Sequence, residues 1–282
     1  MEKLNIVCIL YNRTVEEISS LDVFLDLADR FDLVKLMIMD NSSEAFAARN
    51  REVCETIYRN RITYTYNGGN IGLSKAYNKA LGMIKDDSFF TMWTDDDTVF
   101  SKKYLENVIK AIKLGKGDII GGIIKTQDKI ISPLKQLSPL FVDAMYIKKE
   151  GTYENIYCIN TGLAVKSTVF DAVGRYDERL FLDAVDHLFC DRLTDKGLNR
   201  IIIVPGDITQ DYSMQTNDLS ARRKRHKIFV RDWLKWWKIS RRHTAYILFN
   251  VLIEIGSLLK AMLKEFLLKL KTRSSFPASW KQ

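Results

Sequence analysis

Ser88-Phe89-Phe90-Thr91-Met92-Trp93-Thr94-Asp95-Asp96-Asp97 carries an apolar run of strand length straight into three consecutive carboxylates. Such a run, bounded by polar residues, reads as a strand. Three adjacent aspartates repel one another, so their concentration at a strand end calls for a compensating cation. A divalent ion bridging the phosphates of a nucleotide is the usual one. Taken alone, the triplet reads equally well as a solvated acidic turn.

Toward the N-terminus the same arrangement recurs. Leu4–Leu10 (LNIVCIL) ends in Tyr11-Asn12-Arg13, and Val34–Met39 closes with Asp40-Asn41-Ser42-Ser43. Arg61–Tyr66 leads to Asn67 and the glycine-rich Gly68-Gly69-Asn70-Ile71-Gly72. Between these strands lie helical patterns. Thr14–Arg30 places Val15, Ile18, Leu21, Phe24, Leu25 and Ala28 near helical spacing, Glu44–Tyr58 follows, and a third helix runs from the glycine loop to about Ile84. Strands separated by helices predict an α/β fold with a mostly parallel, doubly wound sheet. Ligands of such sheets bind at the carboxyl ends of the strands, where all four polar clusters fall. Further on, Asp118–Ile124 and Tyr157–Val165 are apolar runs, and Ala184–Lys196 is helix-like.

Two other stretches bear on chemistry. Gly68–Gly72 can offer backbone N–H groups to a phosphate at a helix N-terminus. It is neither GxGxxG nor a P-loop, and a tight turn explains it equally well. In Phe181–Leu193 (FLDAVDHLFCDRL), Asp183 and Asp186 are three residues apart. A helix beginning near Asp183 would be capped by that residue, with Asp186 in its first turn. The functional alternative is a carboxylate projecting into the cleft as general base for an attacking hydroxyl.

In this order the motifs resemble those of the inverting glycosyltransferase family 2, whose fold is GT-A, a Rossmann-like nucleotide-binding sheet. The resemblance covers residues 4 to 215. It implies that Tyr11, Asn12 and Arg13 contact the nucleotide, Asp40 the nucleobase, and Asn67, Gly69, Asn70 and Lys75 the diphosphate side. Thr94-Asp95-Asp96-Asp97-Thr98 is similar to the family's DxD element, implying nucleotide contact for Asp95 and Asp96 and a divalent cation, Mn²⁺ or Mg²⁺, on Asp97 and Asp95. Asn160-Thr161-Gly162 and the segment from Tyr176 resemble the acceptor side, which implies roles there for Thr161, Gly162, Asp183 and His187. Asp186 falls where the family keeps its base. The Asp183-Ala184-Val185-Asp186 variant resembles the rhamnosyltransferase branch. The chain departs from many relatives at Gln210-Asp211-Tyr212-Ser213, where Gln210 replaces a histidine that can help hold the metal. The donor implied is a dTDP- or UDP-sugar, and the acceptor a glycan or lipid-linked saccharide of a surface polysaccharide. Alternatives are a nucleotidyltransferase of the same fold class and a nucleotide-sugar-binding protein without activity. The first wants a basic glycine-rich loop near residue 10, which is not there.

Net charge divides the chain in two. From Ala221 onward 16 Lys/Arg face three acids, Asp232, Glu254 and Glu265, a net +13; the total of +8 leaves −5 for residues 1–220. An acidic body with a basic tail meets two kinds of partner. Residues 1–215 are read as the catalytic domain and 216–282 as a basic, Trp-rich helical extension. Arg222–Lys238 combines RRKRHK with Trp233, Trp236 and Trp237, and later lysines alternate with Leu, Met and Phe. That composition suits an anionic membrane surface. Packing on the body or a homodimer is the alternative, and nucleic acid ranks last because no binding motif accompanies the acidic body. Cys8, Cys54, Cys158 and Cys190 lack metal or disulfide spacing, and no signal peptide precedes the first strand, so a cytoplasmic setting, peripheral at the inner face of the cell membrane, is expected.

Overall fold

The structure is a computed structural model that describes residues 2–85, 88–127, 129–136, 144–210, 219–240 and 244–274. The first half alternates as expected: β1 (Lys3–Leu10), α1 (Leu21–Arg30), β2 (Val34–Asp40), α2 (Glu44–Thr56), β3 (Ile62–Tyr66), α3 (Leu73–Met83) and β4 (Phe89–Asp95). After β5 (Thr98–Phe100) and α4 (Lys102–Lys113) come β6 (Ile119–Thr126), β7 (Lys129–Ser132), β8 (Leu134–Gln136), β9 (Ala144–Tyr146), β10 (Gly151–Glu154) and β11 (Ala164–Lys166). The chain continues through α5 (Ser167–Val173), α6 (Val185–Asp195), β12 (Arg200–Gln210), α7 (Leu219–Ser240) and α8 (Thr244–Ser274).

The main sheet runs β10-β12-β6-β11-β4-β1-β2-β3, with β5 and β7 attached to β12 and β6. Strands β3, β2, β1 and β4 are parallel neighbours, and β11 lies antiparallel between β4 and β6. The order reverses between β1 and β4, so a crevice opens at their carboxyl ends.

Both faces of the sheet are covered, which is why its strands read as continuous apolar runs. Val7, Ile9, Met37, Met39 and Trp93 face one apolar layer with Tyr77; Leu4, Ile6, Cys8, Leu10, Ile38 and Met92 face the other with Phe24. All four cysteines are free and buried.

The expected helix over Thr14–Arg30 is broken. Only Val15–Glu17 forms a single 3-10 turn before α1, and Ile18 is extended. The break lets the Ser19 N–H donate to Asp96 O at 3.0 Å, while Ser20 Oγ donates to Thr98 O and accepts from the Phe100 N–H. These partners surround the aspartate loop, so the interruption ties that loop down. Of Tyr157–Val165 only Ala164 and Val165 enter a strand.

The basic extension contributes to the core. Trp233 and Trp236 of α7 and Ile247 and Val251 of α8 are buried in the layer that holds Tyr77, Trp93 and Phe189. The boundary drawn between residues 215 and 216 lies outside the described residues, as do Asp211, Tyr212 and Ser213. Among the described residues no helix is long and apolar enough to cross a membrane.

Candidate functional site

Parallel register sets the site. Leu10 pairs with Asp40, Ile9 with Asp95, and Asp40 with Tyr66, so the polar ends of four strands share one edge. There a cleft of about 330 Å³ is lined by Tyr11, Asn41, Asn70, Asp95, Asp96, Asp97, Asn160, Thr161, Asp186, Gln210 and Arg225. Tyr77, Phe181, Leu182 and Val185 give it an apolar wall.

The three aspartates hold different partners. Asp95 Oδ2 accepts from Thr161 Oγ1 at 2.6 Å and from Gln210 Nε2 at 2.7 Å. Burial pushes the Asp95 carboxyl up, and those two donors work against it. Asp96 is raised to about 6 by burial, although its Oδ2 accepts from the Tyr11 N–H at 2.9 Å and Arg13 Nε lies 3.8 Å from Oδ1. Asp97 is raised to about 6 by burial and then by the charges of Asp95 and Asp96, and its Oδ1 is buried with no partner. An orphaned carboxylate oxygen beside two other carboxylates fits a divalent cation, which would reverse the cause of each upward shift. Among the described residues no group of three or more His, Cys, Asp or Glu could hold such an ion unaided. Asp97 and Asp95 would therefore share it with ligand or water oxygens.

Several residues expected at the site serve it from behind. Asp40 is fully buried: its Oδ2 accepts from Asn50 Nδ2 at 2.8 Å and Tyr64 Oη at 2.7 Å, and its Oδ1 from the Ser42 N–H. The side chain that this strand end turns into the cleft is the next one, Asn41, whose Oδ1 accepts from Asn67 Nδ2 at 2.9 Å. Asn12, at φ +51°, accepts from the Ser43 N–H and donates its own N–H to Ser42 Oγ, joining the ends of β1 and β2. Lys75 is exposed on α3 and does not line the cleft.

The glycine loop is partly satisfied within the protein. The Gly72 N–H donates to Asn70 Oδ1 and the Leu73 N–H to Phe181 O at 2.7 Å, so these two amides are not free for phosphate. Gly72 has φ +86°, and a Cβ there would meet Phe181 Cδ2 at 2.6 Å and Phe181 O at 2.7 Å. Gly69 has a left-handed φ of +110° with open space around it. Gly162 is likewise not in the cleft: its carbonyl accepts from Tyr104 Oη, and a Cβ would crowd Ile208 and Phe100.

Asp186 lines the same cleft, from the first turn of α6. Its Oδ1 accepts from the His187 N–H and lies 2.8 Å from His187 Nδ1. Burial would raise this carboxyl, but the His187 charge and hydrogen bonds outweigh it and hold Asp186 below the usual carboxylate range. His187 is raised in turn, against its burial, mainly by Asp186. Asp183 does not cap α6: Ala184 is the cap residue at φ +58°, and Asp183 pairs bidentately with Arg225 of α7, with Nη2 2.7 Å from Oδ1. Burial nonetheless raises the Asp183 carboxyl, opposed by Arg225. Arg225 sits in a run that reads as a membrane-facing patch, and its partner lies 42 residues away in sequence.

The family model described as Glycosyl transferase family 2 matches residues 6–174. No curated protein matches the chain. Among solved structures it is similar to the mannosyltransferase PcManGT from Pyrobaculum calidifontis in complex with GDP-Man and Mn²⁺, at 14% identity and TM-score 0.52 over 98% of this chain and 81% of that one. It is also similar to GalNAc-T7 with UDP, GalNAc and Mn²⁺, at 12% identity and TM-score 0.57 over 76% of this chain and 44% of that one. At such identities the likeness shows the fold, which is the GT-A arrangement expected from the sequence.

Proposed function

The chain belongs to glycosyl transferase family 2, and on that premise we propose that it moves a sugar from a nucleoside-diphosphate sugar to an acceptor hydroxyl with inversion at the anomeric carbon. The observation that carries the reading is that Asp186, held as a carboxylate, and the Asp95–Asp97 cluster line one and the same cleft. Tyr11, Asn41 and Asn70 lie where the nucleotide would enter, at the ends of β1 and β2 and in the glycine loop. A cation held by Asp97 and Asp95, when bound, would neutralise charge on the diphosphate. The structures of PcManGT and GalNAc-T7 hold Mn²⁺ together with GDP-Man or UDP, which supports both a nucleotide-sugar donor and a divalent ion for this chain.

In the proposed reaction the acceptor oxygen attacks the anomeric carbon as Asp186 takes its proton, and the bond from that carbon to the diphosphate oxygen breaks. One displacement from the opposite face inverts the configuration. Asp186 is 20% exposed and held in its carboxylate form, the form that can accept that proton. The acceptor we favour is a glycan or lipid-linked saccharide brought by a membrane surface. Exposed Leu252, Ile253, Leu259, Met262, Leu263 and Leu267 on α8, beside Lys260, support an interfacial contact with anionic lipid.

The test is a binding panel of UDP, dTDP, GDP and CDP, each with and without Mn²⁺ or Mg²⁺, followed by turnover of the matching sugar donor. Asp186→Asn is expected to bind the diphosphate like the parent while transfer falls by about 100-fold or more. Parent-like turnover by that variant would remove Asp186 from the role, and no diphosphate binding in the presence of metal would remove the donor site.

A further inference from the structure

We infer that α7 completes the catalytic half of the cleft, and that Asp232 is its positioning residue, fixing the turn that delivers Asp186. The reading of the site as a transferase enters only through the activity measurement. Asp232 is fully buried although it lies in a helix rich in Lys and Arg. Its Oδ2 accepts from three consecutive backbone N–H groups, Phe181 at 2.9 Å, Leu182 at 2.8 Å and Asp183 at 3.2 Å. Successive amides converging on one oxygen form an anion nest, a backbone shape that an anion at its centre stabilises. Directly after the nest Ala184 takes a left-handed φ of +58°, which is costly for a residue with a side chain and persists only where its surroundings enforce it. Val185 then begins α6, and Asp186 follows.

The same helix holds the segment at further points. Arg225 grips Asp183, and Trp236 Nε1 donates to Asp191 Oδ2 at 2.7 Å one turn beyond the base. The Trp233 and Trp236 rings stand 5.9 and 4.9 Å from that of His187, which engages Asp186. On its other side the turn is tied to α3, because Phe181 O accepts from the Leu73 N–H. A peptide clamped between Asp232 and the start of α3 has little freedom, and a base on such a support keeps its aim. The donor half rests mainly on other elements: Tyr11, Asn41 and Asp95–Asp97 stand at the ends of β1, β2 and β4, and only the glycine loop with Asn70 meets the turn, through Leu73. Positioning of the base is therefore separable from the part of nucleotide binding that the strand ends supply.

The test compares Asp232→Ala, Asp232→Asn and Glu254→Gln in the full chain. Glu254 Oε1 lies 2.5 Å from His226 Nδ1 in the α7–α8 contact, so its variant loosens the extension without touching the turn. Asp232→Ala is expected to lower kcat for donor turnover about 100-fold, while KM for the donor and Kd for the nucleoside diphosphate stay within about two-fold. Amide exchange at residues 181–183 accelerates in the same variant. Asp232→Asn recovers part of the rate, because its amide oxygen still accepts, and it carries the test if the alanine variant does not fold. Glu254→Gln lowers Tm and keeps kcat. Undiminished kcat in both Asp232 variants, a parallel loss of diphosphate binding, or an equal fall of kcat in Glu254→Gln would overturn the inference. If the parent binds no nucleoside diphosphate, the transferase reading falls, and the exchange rates at 181–183 still decide whether Asp232 sets the turn.

Discussion

Asp97 is held up to about 6, against a usual 3.8, by burial and by the charges beside it. Between those two values the unfolded chain has released a proton that the folded protein keeps, so the stability of the ligand-free protein falls as pH rises through this window and levels off above it. Asp96 acts in the same direction. Asp97→Asn is therefore expected to raise the Tm of the ligand-free protein at pH 7.5 and to flatten that slope. The same variant should lose cation-enhanced diphosphate binding. Thermal melts from pH 4 to pH 8 (about one reading per half unit) check both, and an unchanged Tm at pH 7.5 would deny that Asp97 carries this cost. The aspartate triplet was legible because an apolar strand delivers it to an edge where ligands bind. Asp40 was legible as a strand-end residue only. Its burial depends on Asn50 and Tyr64, 10 and 24 residues away, and a single sequence does not say which neighbour turns outward. Gln210 stood out as a substitution, but its hydrogen bond to Asp95 spans 115 residues.

At the scale of elements, a Trp- and Arg-rich helix has the same composition whether it meets lipid or a protein core. The two are told apart in α7 and α8 by acids that pattern alone leaves unexplained. Asp232 gathers three amides and Glu254 meets His226, each a partner that appears only after folding. The interruption of the helix before α1 was hidden for the same reason, since Ser20 bonds to residues 78 and 80 positions away. Continuous apolar strands, by contrast, report burial on both faces directly. Docking of α7 can be weighed through Trp236→Phe, which keeps most of the buried ring but leaves Asp191 Oδ2 without its indole donor, while Tyr157 Oη still serves Oδ1. A loss of about 1–3 kcal/mol is expected, seen as a lower urea midpoint at unchanged m-value. A midpoint equal to the parent's would show that this hydrogen bond contributes nothing net.

For the whole molecule the charge division persists in the fold: β1 to β12 carry the acidic cleft, and the extension adds both buried aromatics and an outward apolar strip on α8. The proposed membrane contact predicts co-sedimentation with vesicles containing anionic phosphatidylglycerol. It should weaken steadily as salt rises from about 0.05 to 0.5 M, over which the screening length shrinks several-fold. Leu252→Ser combined with Leu259→Ser should reduce the salt-resistant part of that binding, because it removes apolar area rather than charge. Binding equal on neutral and anionic vesicles would set the electrostatic part aside. Finally, the four cysteines, Cys8 in β1, Cys54 in α2, Cys158 ahead of β11 and Cys190 in α6, are all buried thiols whose ionisation burial suppresses. A thiol reagent can reach them only when the chain opens around them. Pulse labelling of the unmodified protein therefore provides four native clocks, spread through the fold, and the order in which they start marks the sequence in which its parts come loose.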